Sequence, residues 1–243
     1  MNGSDWGGRH DGGMTLQLAR EEPEAGPWRA ELLTAVVEAL IWRGPGRVVS
    51  GRPVVLAVDG RSNAGKTTLA ARICGAVPGS VVVHTDDIAW EHSRFGWSDL
   101  LADGILVPVR RGRAVSFRPP RWAEHGREGS IEVPAGCPLL IIEGDGAGRR
   151  EVGQLLDLLI WVQSDEREAA RRSLARAVHA DAIDGANLPA DGSPSDPDAW
   201  MAEEIPFNTA QRTWERADLI VCGTPEIPYD PATEIVVARN RRP

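Results

Sequence analysis

The sequence predicts a three-layer α/β fold: a mainly parallel sheet covered on both faces, with a small β-rich insert. Three observations predict it. Short apolar, β-branched runs recur at Pro53–Val58, Val81–Thr85, Leu139–Ile142, Leu158–Val162, Leu219–Cys222 and Ile235–Ala238. They lack the alternation of a half-exposed sheet and so read as strands buried on both faces. Helix-like stretches separate the runs, which calls for crossover connections between parallel neighbours. At 243 residues and 42% hydrophobic composition, the chain can bury one such core.

The elements follow in order. Residues 1–24 are expected to be a disordered lead, because Met1–Gly13 carries Gly and Asp in place of a basic, then apolar, export signal. One domain is expected over 25–243. Over Trp28–Trp42, Leu32, Leu33, Val36, Val37, Leu40 and Ile41 recur four apart, the stripe of a packing helix. The first strand ends at Asp59-Gly60, and a helix runs on from Thr67 to Cys74. After the second strand the rhythm breaks over residues 95–135. A short helix around Trp97–Ala102 and strands at Val107–Val109, Ala114–Phe117 and Ser130–Val133 are expected there, making a β-rich substrate lobe. Residues 165–197 read as a lid: a helix over Asp165–His179, then an acidic surface loop rich in Gly, Pro, Asp and Ser. A further helix over Asp198–Arg216 leads into the late strands.

A formal net charge of −8 gives no attraction to polyphosphate backbones, so nucleic acid and membrane surfaces are disfavoured and a small-molecule partner fits better. The apolar runs fall well short of the ~20 residues that a bilayer span needs. Cys74, Cys137 and Cys222 lie far apart in apolar stretches, as buried thiols of a reducing compartment do, so a cytoplasmic location is expected. None of the histidines has metal-ligand spacing.

Gly60-Arg61-Ser62-Asn63-Ala64-Gly65-Lys66-Thr67 is a complete phosphate-binding loop, followed by Thr68 as the next helical residue. Glycines let successive backbone N–H groups converge on phosphate oxygens while the following helix points its positive end at them. The loop follows an apolar strand and opens a helix, which is the context the motif requires. Lys66 would reach the β- and γ-phosphates, and the Thr67 hydroxyl would ligate Mg2+. Lys66 is also the only lysine among 27 basic residues, kept where a compact ammonium must reach between two phosphates.

With its flanks, Asp59 to Thr68 resembles the loop of the uridine kinase-like branch of P-loop kinases, which includes phosphoribulokinase, pantothenate kinase and nicotinamide riboside kinase. His84-Thr85-Asp86-Asp87 looks like the acidic motif at the end of their second strand, and Ile141-Ile142-Glu143-Gly144 like their third-strand acidic segment. Arg167 to Arg176 looks like their Arg-bearing lid, and Ala217–Val221 like a late strand after which the chain passes the base. The likeness spans about residues 53 to 225, loosely over the lobe. It implies a P-loop NTPase fold of the nucleoside and nucleotide kinase type, ATP or GTP with Mg2+ as cofactors, and phosphoryl transfer to an alcohol.

The resemblance also implies roles. Asp86, just past the carboxyl edge where open α/β sheets bind ligands, would be the base that takes the hydroxyl proton. Asp87 would serve the metal through water, or be the base if the register shifts by one. Glu143 ends an apolar strand near the metal and would order its water, unless it only caps the Gly144-Asp145-Gly146 turn. Arg167/Arg171 and Arg172/Arg176 are i,i+4 pairs, of which one would face the transferring phosphoryl group; Arg172 and Arg176 are taken as that pair. Asp86, Trp90, Trp97, Arg118 and Trp122 are the candidate acceptor contacts, with His92, Arg94, Phe117, Arg121 and His125 nearby, a mixture suited to a ring-bearing, hydroxylated ligand. A nucleoside or nucleoside-like natural product is the expected acceptor. The alternative is a nucleotide-hydrolysing switch or ATPase that acts on a protein partner.

Overall fold

The computed structural model describes residues 16–18, 21–42, 51–172, 175 and 197–238. Strand β1 (Arg29–Leu32) runs into helix α1 (Leu33–Val37) and a π turn over Glu38–Trp42. Strand β2 (Val54–Gly60) leads through the phosphate loop to α2 (Lys66–Ala76), and β3 (Val81–His84) passes directly into α3 (Thr85–Ala89). The insert holds α4 (Ser98–Leu101), a π segment (Ala102–Leu106), α5 (Val107–Arg110), β4 (Val115–Phe117), α6 (Pro120–Glu124) and β5 (Ile131–Val133). Strands β6 (Leu139–Glu143) and β7 (Leu158–Gln163) follow, then α7 over 166–172, α8 (Pro197–Gln211), α9 (Thr213–Arg216), β8 (Leu219–Cys222) and β9 (Glu234–Ala238).

The main sheet runs β1-β9-β8-β7-β2-β6-β3, and β3, β6, β2, β7 and β8 are mutually parallel. At one edge β9 runs antiparallel to β8, and β1 antiparallel to β9, so β1 points the same way as the parallel strands. The chain lays β3 and β6 on one side of β2, then crosses to the other side for β7 and β8. The reversal therefore falls at β2, and the crevice beyond its carboxyl end is where such sheets bind ligands. Alternate residues of β2 enter two separate cores. Val54, Leu56 and Val58 pack with Leu69, Ala70 and Ile73 of α2, while Val55 and Ala57 face Trp97, Leu101, Ile105 and Val109 of the insert. Two cores on one sheet make the three layers.

Several expectations need correction. Residues 29–32 form a strand and not the start of a helix, because their backbone pairs with Glu234–Val237; Leu32 is accordingly 52% exposed. The core stripe begins at Leu33 and includes Val36, Val37 and Ile41. The insert is mostly helical, and its strands are a single two-stranded ribbon with Val115 opposite Val133 and Phe117 opposite Ile131. Val107–Val109, expected as a strand, is helical. The spacing of Leu101, Ile105, Leu106 and Val109, all buried, is the stripe of one helix face, and Pro108 sits in the first turn of its segment, where it is tolerated. The expected Asp198–Arg216 helix is split at Arg212, whose φ is 45°. Part of the expected disordered lead is packed: Leu16 and Glu22 are buried, and Gln17 exchanges hydrogen bonds with Asp165 and Glu166. Met1–Gly13, Arg176 and most of the Ala180–Pro197 loop lie outside the described residues.

Candidate active site

The phosphate loop is anchored from below by Asp59, the last apolar-facing position of β2 before Gly60. One carboxylate oxygen accepts the N–H groups of Gly60 and Gly146 at 2.8 and 2.9 Å, and the other accepts that of Gly148 at 2.9 Å. Complete burial pushes the Asp59 pKa up to about 6, against the opposing pull of those amides. One side chain thus ties the loop to the turn that follows β6. The loop turns over through Asn63 and Gly65, at φ 63° and 101°, in the left-handed region that Gly and Asn tolerate best. Its first residue packs so closely on β7 that a Cβ at Gly60 would lie 2.6 Å from the Val162 carbonyl oxygen. Arg61 is drawn outward to Glu22, at 2.9 Å, and Glu22 also accepts Trp161 Nε1 at 2.6 Å and Gln163 Nε2 at 2.9 Å.

Lys66 opens α2 and is only 7% exposed. Its ammonium donates to the Arg61 carbonyl at 2.8 Å and to Asp145 at 2.5 Å. Burial disfavours that charge, but Asp145, Asp59 and Glu143 together outweigh the loss of water and raise the pKa. Next along the helix, the Thr67 hydroxyl donates to Glu143 Oε1 at 3.0 Å, while Glu143 Oε2 meets His84 Nδ1 at 2.6 Å. Glu143 is 4% exposed, so it is held by these two partners at the strand end. Thr67 and Glu143 present hard oxygen donors side by side, which fits magnesium, an ion that takes few protein ligands and completes its shell with water and phosphate oxygens. Gly144 is required next to them: a Cβ there would overlap the Thr85 hydroxyl.

A phosphate cradle on the central strand, at the point where strand order reverses, decides the architecture. The fold is that of a P-loop α/β protein. No family model matches the chain, and no curated protein does. Among solved structures it is similar to a possible uridine kinase from Bacillus stearothermophilus, at 15% identity and TM-score 0.46, over 76% of this chain and 95% of that one. It is also similar to a fructose transport system kinase, so described, from Silicibacter sp. TM1040, at 17% identity and TM-score 0.49, over 77% and 95% of the two chains.

The other anticipated residues divide. Asp86, in the first turn of α3, is exposed at the mouth of the site; desolvation there, then the charges of Asp145 and Glu143, raise its pKa, with Lys66 and His84 opposing. Asp87 turns instead to the insert, in an ion pair with Arg127 at 2.5 Å, and its carbonyl accepts Trp122 Nε1 at 2.8 Å. The structure thus brings Asp87 to Arg127 and leaves Asp86 with the phosphate-loop charges. Of the lid arginines, Arg172 reaches the loop: its guanidinium donates to the Gly223 carbonyl at 3.0 Å, and its Nη1 would lie 3.8 Å from a Cβ at Gly65. Arg171 is paired with Glu168 and 71% exposed on its side chain, and Arg167 is exposed.

The expected acceptor contacts mostly serve packing. Trp97 is 1% exposed, donates to the Arg94 carbonyl and lies under the Arg149 guanidinium at 4.2 Å; Trp122 is 5% exposed with Arg127 stacked on it at 3.7 Å. Arg118 is exposed and donates to the Arg127 carbonyl. Only Trp90, half-buried beside His125 and Arg127, keeps a partly open aromatic edge. Four residues with contacts to the loop or the turn beside it were missed. Asp145 stood in plain view between two glycines after the third strand. Glu204, Arg149 and Glu22 carried no local signal, because Glu and Arg in helix-like or polar stretches read as solvated surface.

Proposed function

We propose that the protein is a phosphotransferase that moves the γ-phosphate of ATP or GTP, with Mg2+, to a hydroxyl of a small molecule, a nucleoside or nucleoside-like natural product being the leading class. The observation that carries the reading is the convergence of Lys66, the Thr67–Glu143 pair and Asp86 on one sheet edge above the loop. Magnesium bound at Thr67 and Glu143 would supply charge neutralisation to the phosphate oxygens. The rest falls to side chains of this chain. Lys66 exchanges its Asp145 partner for phosphate oxygen, and Arg172 adds positive charge from the lid. Asp86 accepts the hydroxyl proton; its carboxylate stands exposed in the first turn of α3, with its pKa raised by desolvation and by the charge of Asp145. In a loose phosphoryl-transfer transition state, this positioning and charge stabilisation account for most of the catalysis. An acceptor small enough for the cleft fits the acidic net charge and the half-buried Trp90 edge better than nucleic acid does.

The test is Mg-ATP and Mg-GTP consumption by the purified protein against nucleosides, nucleoside antibiotics, sugars and vitamin alcohols, with mass spectrometry of the products. One acceptor gaining one phosphoryl group supports the reading. Hydrolysis that no acceptor stimulates would favour the nucleotide-dependent switch.

A further inference from the structure

Helix α8 sets one carboxylate, that of Glu204, against the phosphate loop. Glu204 is 6% exposed, and its Oε1 accepts the Ser62 backbone N–H at 2.6 Å. In a loop of this kind such amides serve phosphate oxygens. The neighbouring donors are filled in the same way, since Asp145 takes both the Lys66 ammonium and, at 2.8 Å, the Ser62 hydroxyl. Two carboxylates from distant parts of the chain therefore stand where a polyphosphate needs to lie. Burial, and next the charge of Asp145, raise the Glu204 pKa, so this carboxylate is held in an unfavourable place.

Three residues further along the same helix, Phe207 stacks on Phe95, at the start of the insert, with ring centroids 4.0 Å apart and planes 12° apart. Phe207 also lies against the Arg149 guanidinium, at 4.8 Å. Arg149 is 1% exposed; its Nη1 donates to the Phe95 carbonyl at 2.7 Å, while its Nε and Nη2 have no hydrogen-bond partner among the described residues. Buried donors without acceptors are costly, so withdrawing Phe207 and admitting water or ligand to them offsets the loss of the ring stack.

Building on the phosphotransferase reading, we propose that α8 is a latch: Glu204 holds the Ser62 amide as a phosphate mimic until nucleotide displaces it, and the same movement lifts Phe207 off Phe95 and Arg149. Nucleotide then binds before the acceptor, because the helix that nucleotide displaces is the one that closes the insert side of the cleft. No covalent step is involved. Glu204 and Phe207, three apart, share a helix face with only Ile205 and Pro206 between them, so a shift of that single turn carries both side chains.

Calorimetry with magnesium and the β,γ-imido analogues of ATP and GTP tests this on the full chain. Removing the competitor in Glu204→Ala should tighten analogue binding about tenfold, the scale of one charge-assisted hydrogen bond. Backbone hydrogen exchange in α8 and around Phe95 should quicken when wild type binds analogue, and should already be quick in Glu204→Ala without it. Glu204→Gln, nearly isosteric, should give an intermediate gain and guards against misfolding of the alanine variant, which a thermal melt would reveal. Weaker or unchanged binding in both variants, or slower exchange in α8 on analogue binding, overturns the latch while leaving the phosphotransferase reading intact. Absence of analogue binding in wild type overturns both, and is distinguishable because it needs no variant.

Discussion

The phosphate side of the cleft and the insert side use the same residue types for opposite ends. Around the loop, charged side chains converge: Lys66, Asp145, Glu143 and Asp59 lie close enough for each to shift the titration of a neighbour. In the insert, Arg127 and Arg149 are spent on aromatic faces, and Trp97 and Trp122 on the core. Polar groups at a strand end are free to meet ligand because the sheet beneath them supplies the stability. The insert lacks a sheet of its own beyond one short ribbon and draws its cohesion from aromatic packing. Aromatic residues in a suspected substrate lobe are therefore poor evidence of a ligand until their burial is known.

That contrast can be broken by substitution. The largest effect should come from Asp86→Asn, with a fall in turnover of about 10²- to 10⁴-fold at nearly unchanged analogue affinity, as expected for loss of a general base. Steady-state kinetics on the identified acceptor, with calorimetry alongside, check it; an equal loss of affinity would make Asp86 a binding residue. Next, Trp97→Ala should destabilise the fold by about 3–5 kcal/mol in denaturant unfolding, a core effect and not an acceptor effect. A stable Trp97→Ala protein with a raised acceptor KM would return Trp97 to the binding surface.

A smaller effect concerns pH. The folded-state pKa of Asp59, about 6, stands above its ordinary value of 3.8, so between those values the folded protein holds a proton that the unfolded chain has released. The Asp59 contribution to stability is therefore full below about pH 4 and falls as pH rises to about 6, by on the order of 3 kcal/mol. Denaturant midpoints of wild type and Asp59→Asn should accordingly converge over that interval and run parallel above it. A gap that widens with pH would show that the amide bonds outweigh burial. The smallest effect is Arg118→Ala, expected within about 0.5 kcal/mol in stability and neutral in acceptor KM, since the side chain is exposed and touches only a neighbouring carbonyl.

What the sequence disclosed follows the range of the interactions involved. Gly60 to Thr68, the end of β3 at Asp86 and the end of β6 at Glu143 are local arrangements, in which residue type and position on a strand fix the geometry. The strand at 29–32 depends on a partner some two hundred residues away, and its apolar spacing matched a helix equally well. At Val107–Val109 two local signals compete: β-branched residues around a proline suit a strand, while the stripe through Leu101, Ile105 and Val109 suits a helix, and burial of that stripe decides for the helix. Glu204 and Glu22 belong to the site only through chain crossings from α8 and from the segment before β1, and nothing within ten residues of either marks them out. Asp145 was legible in position and was missed in role, since a Gly-Asp-Gly turn is ordinary loop chemistry until Lys66 is seen against it.

The solitary lysine has a practical side. With Lys66 under Asp145 and nearly sealed from solvent, the folded protein exposes no side-chain primary amine to acylating reagents. Amine cross-linkers will find no lysine on its surface, and coupling through lysine to a solid support will disturb the phosphate loop or fail. A nucleotide acyl phosphate, which delivers an acyl group to whichever lysine lies beside bound phosphate, would meet a single target, so one tryptic peptide would report the occupancy of the whole site.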